Sequence, residues 1–455
     1  MMSRQPKSGP MEAGHRPVSV IVGLGRTGVS CAAYLAARGH ALRVTDSRPA
    51  PPGAAELVRI APDSVTAFGR FDARLLEGAD QVVVSPGVSL REPLLVAARE
   101  GGLDVVGDIE LFAREAGGRT VGITGTNGKS TVTTLLGEIA EAAQVAVQVG
   151  GNIGRPALEL IAGAPAELYV LELSSFQLET VRSLHLEAAA VLNLMPDHMD
   201  RYVNLAEYGA AKARIFDHAA TAVVNLDDEL VCRMPAPGQR IVGFSLLRED
   251  ADYSLRRLVG DPWLVAGTEP LLPLRELRIA GRHNAANALA AVALADAVGL
   301  ARSAVVSTLE HFPGLPHRTQ WVAESAGGLR WMDDSKATNV AATIAAVGGL
   351  DGPLVIIGGG DGKGQDFGPL AGVFRGKVRA AVLIGQDARA LGAAIEPACE
   401  VSYADSMEEA VGLARRLARP GDTVMLSPAC SSLDMFRDYA HRGEVFCEAV
   451  RGILP

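Results

Sequence analysis

The stretch Val121–Thr134, VGITGTNGKSTVTT, decides how the chain is read. A short apolar run ends in a glycine-rich turn, and Lys129, Ser130 and Thr131 then open an expected helix. Glycines let main-chain N–H groups converge on an anion, a lysine adds a point charge, and a serine hydroxyl reaches Mg2+. The strict pattern G-x-x-x-x-G-K-[ST] is not met, because Ile123 stands where its first glycine belongs; the stretch reads G-x-x-G-T-N-G-K-S instead. Phosphate binding is expected at Gly125, Thr126, Asn127, Gly128, Lys129, Ser130 and Thr131. A plain turn carrying a solvated lysine would leave the run G-T-N-G-K-S-T unexplained.

The rest of the chain bounds what that loop can serve. At 455 residues the length suggests about three domains, each able to bury its own core. Hydrophobic residues make up 48% and charged residues 21%, the profile of a soluble globular protein. A formal net charge of −9 argues against nucleic acid as the main partner but leaves room for acidic small molecules at local basic sites. The five cysteines show no C-x-x-C spacing, so they read as reduced thiols of a cytosolic protein. No apolar run approaches the roughly 18 residues of a membrane span. Residues 1–17 are polar, with three prolines and no apolar core segment. They are expected to be a disordered tail rather than a signal peptide, with Met11 as an alternative start.

Upstream of the phosphate loop, Val18–Val22 (VSVIV) is a short buried-strand signal. It runs into Gly23-Leu24-Gly25-Arg26-Thr27-Gly28 and a helix-like stretch to Arg38, and LRVTD then forms a second strand ending in Asp46. A G-x-G-x-x-G between strand and helix, with an acid about 20 positions on, points to a nucleotide-type ligand. NAD with Asp46 on a ribose hydroxyl is one reading. Against it, Arg48 is placed to meet a phosphate, and the unit ends near residue 107, short for a dinucleotide domain. A tight βα turn with no ligand is the plain alternative. Asp80–Gly87 (DQVVVSPG) is a further strand and turn facing the same crevice.

Downstream, Gly150-Gly151-Asn152-Ile153-Gly154 is a loop, and Leu168–Leu173 (LYVLEL) is a buried strand carrying Glu172. A carboxylate at the end of such a strand, near a phosphate loop, suits a Mg2+ ligand or a water-orienting group. The bland reading is a paired structural acid. The strand Ala188–Leu194 leads to Asp197, His198 and Asp200, positioned as ligands are at strand ends of an open α/β sheet, although a histidine beside an acid is usually a surface pair. Lys212 follows on an apparent helix, Leu205–Phe216, where a solvated side chain is the default expectation. Residues 235–275 look like a small antiparallel addition. Ala280–Gly299 reads as an alanine-rich helix whose Asn284 and Asn287 either cap it or reach a ligand. Pro313–Arg318 reads as a linker. Beyond it, strands at Pro353–Ile357, Ala380–Ile384 and Thr423–Leu426 alternate with helices, with a helix-like stretch running to Arg442. A parallel, Rossmann-like sheet follows. Its lysines and hydroxyls sit at strand ends, a plausible seat for a carboxylate-rich substrate. The fold class is therefore α/β in three domains. N- and C-terminal Rossmann-like sheets flank a central P-loop-type ATPase domain, over residues 18–107, 108–314 and 315–455.

Taken together, the phosphate loop, ELSSFQLE (172–179), DHMDRY (197–202), the lysine of AAK at 212, HNAAN (283–287), PHR (316–318), DSKATN (334–339), GGDGKG (359–364) and SPACSSLDMF (427–436) resemble the Mur ligase family in one order. The resemblance covers nearly the whole chain after residue 17, and DSKATN and SPACSSLDMF are its most discriminating parts. It implies an ATP-dependent ligase joining UDP-N-acetylmuramoyl-L-alanine to D-glutamate through an acyl phosphate, as a monomer in the cytoplasm with no membrane or nucleic-acid partner. Thr27, Asp46, Arg48, Gly87 and Asn152 would contact the UDP substrate. Lys129 would hold the ATP phosphates, and Asn287, Arg318 and Asp334 the rest of the nucleotide. Of two Mg2+ ions, one would sit on Ser130 and Glu172, the other on His198 and a carbamate formed on Lys212. Lys336, Thr338, Lys363, Ser432 and Leu433 would bind the amino acid beside Tyr439, where the family often has Phe. The catalytic set implied is Lys129, Asn152, Glu172, His198 and Lys212. Rival readings are a sister Mur ligase or folylpolyglutamate-type ligase, an NAD-dependent oxidoreductase, and a non-catalytic nucleotide switch.

Overall fold

The computed structural model describes residues 16–453 apart from 280, 326 and 351. The tail expected over residues 1–17 thus falls almost wholly outside the described residues. Five strands open the chain: β1 (Val18–Val22), β2 (Ala41–Asp46), β3 (Val65–Phe68), β4 (Gln81–Val84) and β5 (Asp104–Val106). They form one parallel sheet of order β3-β2-β1-β4-β5. Val20, Val22, Val82 and Val84 pack with Leu94 and Leu95 on one face. Short β-branched runs buried on both faces are what a helix-covered parallel sheet requires.

Nine strands follow: β6 (Arg119–Thr124), β7 (Val147–Gly151), β8 (Leu168–Glu172), β9 (Leu186–Val191), β10 (Ala219–Asn225), β11 (Arg240–Ser245), β12 (Tyr253–Leu258), β13 (Asp261–Ala266) and β14 (Glu269–Pro273). The chain divides into two compact units, and the division falls inside β6. One unit runs to Gly122 and takes in Ala146–Leu186 and Ala210–Ala219; the other holds Ile123–Val145, Glu187–Gly209 and everything from Ala220 onward. In the first unit, β6 is followed by β8 and β7, with Gly151 in register with Glu172. In the second, the order runs β14-β13-β12-β11-β10-β9-β6. The antiparallel addition expected over 235–275 holds for β12, β13 and β14, but β11 pairs in parallel with both β10 and β12. The short helix Glu229–Cys232 between β10 and β11 makes that connection a crossover rather than a hairpin.

The third sheet comprises β15 (Gln320–Ser325), β16 (Leu329–Asp333), β17 (Leu354–Gly359), β18 (Val378–Ile384), β19 (Glu400–Tyr403) and β20 (Thr423–Leu426), in the order β15-β16-β20-β17-β18-β19. Only the edge pair β15–β16 is antiparallel. Leu354, Ile356, Leu383 and Met425 enter one core, while Val355, Ile357, Val382 and Leu426 enter the other. That period of two puts helices over both faces and leaves the carboxyl ends of the strands free for ligands.

Several helices differ from expectation. The helix after SPACSS begins only at Tyr439 and runs to Ile453. Asp438 sets the start, its carboxylate accepting the His441 N–H at 2.8 Å as a capping side chain does. The alanine-rich helix spans Arg282–Ala297 and is buried nearly all round against the helix Lys129–Ala142. Gly281 precedes it without a side-chain cap, so Asn284 and Asn287 are not caps. The supposed linker is a tight structured turn in which His317 and Thr319 take positive φ. Among the described residues no helix is long and apolar enough to cross a membrane.

Candidate active site

A cavity of about 460 Å³ opens at the carboxyl ends of the first sheet. Thr27, Asp46, Arg48, Gly87 and Asn152 all line it, so the five candidate substrate residues are brought together. Asp46 is 2% exposed. Its carboxylate accepts the Leu24 N–H at 2.7 Å and the Arg48 N–H at 2.9 Å. Arg48 closes a fork on it, Nε at 2.9 Å and Nη2 at 2.6 Å. The guanidinium holds the Asp46 carboxyl down at about 2, far below the usual carboxylate range. Four donors fill the lone pairs of Asp46, which removes it as a ribose-hydroxyl acceptor and makes it an anchor for the Arg48 guanidinium. The glycines of the motif have a packing reason too. A Cβ on Gly28 would lie 2.1 Å from the Gly23 carbonyl oxygen.

In the same unit, the Asn152 N–H donates to the Glu172 carbonyl at 2.8 Å and its side-chain amide donates to Glu172 Oε1 at 2.7 Å. Gly151 makes this approach possible at φ 99°, since a Cβ there would meet that carbonyl at 2.4 Å. Glu172 is 2% exposed, and its Oε2 is buried with no hydrogen-bond partner among the described residues. A carboxylate oxygen is costly to leave that way, and a cation would satisfy it. Gln177 also lines the cavity. It closes a capping box with Ser174 and donates to Asp108 Oδ2 at 3.0 Å. Burial lifts the Asp108 carboxyl to about 6. The spacing Ser174-x-x-Gln177 is the signal that would have found it. Lys212 is 1% exposed, which overturns the solvated lysine expected from its helix.

In the second unit, the phosphate loop is held by the segment after β9. The Asn127 N–H donates to Asn193 Oδ1 at 2.8 Å, and Asn193 Nδ2 returns a bond to the Asn127 carbonyl at 3.1 Å. Thr126 Oγ1 both donates to the Met195 carbonyl and accepts its N–H. Gly125 and Gly128 take φ 151° and 86°, open only to glycine, and Lys129 Nζ folds back to the carbonyls of Gly125 and Thr126, each at 2.9 Å. A Cβ on Gly128 would meet Asn287 Oδ1 at 2.4 Å, and Arg318 Nη2 donates to Ser130 Oγ at 2.8 Å. Asn287 and Arg318 therefore join the loop, and Thr131 is buried at the start of its helix. Asn193 had no signal of its own. His198 is half-exposed at φ 56°, with Asp197 Oδ2 at 3.8 Å from Nε2; Asp200 is exposed. Among the described residues no three His, Cys, Asp or Glu side chains make a ready-made metal cage. Mg2+ needs none, because it binds through one or two protein oxygens, substrate phosphates and water.

The loops at the ends of β16, β17 and β20 carry the amino-acid candidates. Asp334 is 7% exposed. It accepts the Thr319 N–H at 3.1 Å and the Ser427 hydroxyl at 3.0 Å, and burial raises its carboxyl to about 7. Lys336 Nζ stands 3.8 Å over the Tyr439 ring, so the aromatic wall serves as a cation rest. Its backbone N–H donates to the His317 carbonyl, and His317 Nδ1 pairs with buried Asp333 at 2.6 Å. Ser432 is buried and Thr338 half-buried, whereas Lys363 and Leu433 are exposed. Lys363 sits at φ 50°.

Profiles of known families match most of this chain. The N-terminal domain described as Mur ligase MurD-like matches residues 18–107, the Mur ligase middle domain 123–295, and the Mur ligase glutamate ligase domain 317–430. A relative from Nitrosococcus oceani, named UDP-N-acetylmuramoylalanine–D-glutamate ligase, is 51% identical over 98% of this chain and 99% of its own. One of the same name from Methylococcus capsulatus is 50% identical over 95% and 94%. Among solved structures, the UDP-N-acetylmuramate-alanine ligase of Thermotoga maritima aligns with a TM-score of 0.61 at 18% identity, covering 96% of this chain and all of that one, and so shares the fold. With family models matched over residues 18–107, 123–295 and 317–430 and relatives about half identical over nearly the whole length, the chain belongs to the Mur ligase family.

Proposed function

We propose that this chain is the ATP-dependent ligase that adds D-glutamate to UDP-N-acetylmuramoyl-L-alanine in peptidoglycan precursor synthesis. Near-full-length identity of about half with relatives of that name carries the reading. The cavity around Arg48 supports it, since its anchored cation suits a diphosphate. Residues 18–107 would take the UDP-sugar, 108–314 the ATP and 315–455 the amino acid. The enzyme works in the cytoplasm as a monomer.

A carboxylate does not react with an amine at neutral pH. The alanyl carboxylate therefore takes the γ-phosphoryl group of ATP, releasing ADP. The amine of D-glutamate attacks the acyl phosphate, loses a proton, and the tetrahedral adduct expels phosphate to leave an amide. Lys129 neutralises the phosphoryl oxygens during transfer, while Asn287, Arg318 and Asp334 fix the nucleotide. Asn152 orients the muramoyl end and holds Glu172. Ser130 and Glu172 would bind one Mg2+, His198 and a carbamate on Lys212 the second. The orphaned Oε2 of Glu172 fits that assignment. When bound, the ions spread the charge that builds on the transferring group. A carbamate would turn the buried Lys212 ammonium into an anionic oxygen donor, which a hard cation prefers. Lys336, Thr338, Lys363 and Ser432 would receive the glutamate carboxylates, with Leu433 and Tyr439 beside them.

Phosphate release should require ATP, UDP-N-acetylmuramoyl-L-alanine and D-glutamate together, and L-glutamate, D-aspartate or diaminopimelate should not replace D-glutamate. Activity with L-glutamate alone would sink the stereochemical assignment. Lys212→Ala should lose about a thousandfold in kcat and regain part of it with added acetate or propionate. A fully active variant would remove the carbamate.

A further inference from the structure

Arg442 is 1% exposed, the largest fully buried charged side chain among the described residues. It lies in the first turn of the helix Tyr439–Ile453. Its Nε donates to Ser335 Oγ at 3.0 Å, its Nη2 to the Ser335 carbonyl at 2.8 Å, and its Nη1 to the Cys430 carbonyl at 3.1 Å. The Ser335 hydroxyl donates onward to the Tyr439 carbonyl at 2.8 Å. Ser335 separates Asp334 from Lys336, and Cys430 lies two residues before Ser432. Next to Cys430, Ser431 exchanges backbone hydrogen bonds with Asp361, at 2.8 and 3.1 Å. One guanidinium thus joins two of the amino-acid loops directly and reaches the third, the Lys363 loop, through that backbone pair. Among the described residues no carboxylate hydrogen-bonds to it, although Asp434, Asp333 and Asp334 lie near enough to favour its charge; neutral oxygens take its donors, and burial pulls it down to about 10. A buried charge with no carboxylate bonded to it is a poor way to gain stability, and an apolar side chain of the same volume would fill the space at less cost. What the planar fork adds is fixed spacing between the groups it binds.

We infer that Arg442 is a positioning residue for the amino-acid substrate: it holds the loop of Lys336 and Thr338 at a set distance from the loop of Ser432, so that one dicarboxylate spans both. This rests on the reading of the third-sheet loops as the D-glutamate site. Arg442 touches no substrate itself and acts through Ser335 and Cys430.

The full chain carrying Arg442→Lys, Arg442→Met, Ser335→Ala or Lys336→Ala tests this in steady-state assays of all three substrates, with melting temperatures alongside. Arg442→Lys keeps the charge and loses the fork, so the KM for D-glutamate should rise about tenfold while those for ATP and the UDP substrate hold. Arg442→Met should do the same or worse, with Arg442→Lys the better of the two. Ser335→Ala, which breaks only the relay, should raise that KM about threefold. Should Arg442→Met fail to fold, Arg442→Lys and Ser335→Ala decide. An unchanged KM for D-glutamate in both overturns the inference. So do three KM values that move together with the melting temperature, since that is what a merely structural role gives. If Lys336→Ala raises the KM for D-glutamate and the Arg442 variants do not, the inference alone falls. If Lys336→Ala leaves it unchanged, the site reading falls and takes the inference with it.

Discussion

Asp46 in the first-sheet cavity and Asp334 at the third sheet are both buried, at 2% and 7% exposure, yet their carboxyls move in opposite directions, to about 2 and about 7. Desolvation penalises both charges. Asp46 has the Arg48 fork laid across it. Asp334 has two neutral hydroxyls, of Ser427 and Thr319, and a backbone amide, with Arg318 the smallest of the influences on it. Burial raises both carboxyls, and the partner decides whether that rise is overcome. In function this separates a carboxylate that serves as the fixed base of a cation from one that titrates near neutrality.

The largest effect expected from that contrast is at Asp46. Asp46→Ala leaves the half-exposed Arg48 guanidinium without its anchor and the Leu24 N–H without its acceptor, and each hydrogen bond lost to a buried charged group costs about 1.5–3 kcal/mol. The KM for the UDP substrate should rise about a hundredfold, with the KM for D-glutamate unmoved. A small change would mean that Arg48 is positioned without Asp46, and the contrast would lose its first half.

Asp334 gives the next effect, and its sign is opposite. A carboxyl raised in the folded chain favours the protonated fold, so its contribution to stability is full below about 3.8 and fades as pH rises to about 7. A depressed carboxyl such as Asp46 contributes above about 3.8, and that contribution is lost as pH falls towards 2. Denaturant midpoints of Asp334→Asn should therefore lack the decline between pH 4 and 7 that the parent owes to this group. If ionised Asp334 accepts nucleotide hydroxyls, the parent KM for ATP should improve about tenfold between pH 6 and 8, and the Asn variant should show no such slope. Parallel profiles for parent and variant would place the titration elsewhere.

Local chemistry explains which parts of the molecule could be read ahead of the fold. VSVIV, the phosphate loop, and Asp46 with Arg48 all work through neighbours in sequence, so composition and spacing carry them. Arg442, Asn193 and the burial of Lys212 depend on elements brought together from afar. A lysine among alanines on a helix looks solvated until packing covers it, and an arginine in a helix looks like surface until two loops close over it. The late start of the last helix has the same root. Asp438 becomes a cap only because the preceding turns, fastened to Asp361 and Arg442, stop where they do.

The smallest effect is also the one that separates charge from backbone. Lys363 is exposed and held at φ 50°, a conformation that costs an L-residue about 1 kcal/mol. Glycine there would relieve that strain but adds a comparable chain-entropy cost, so Lys363→Gly should leave stability within about 0.5 kcal/mol. An exposed ion pair to a carboxylate is worth up to about 1 kcal/mol, so the KM for D-glutamate should rise no more than about fivefold. Lys363→Ala loses the same charge and keeps the strain. Equal KM values for the two variants would assign the effect to the ammonium group. A larger rise in the glycine variant would instead mean that the strained backbone keeps the loop in place. The amino-acid loops would then be pre-formed like the Asp46 cavity, and their exposed cations would be secondary.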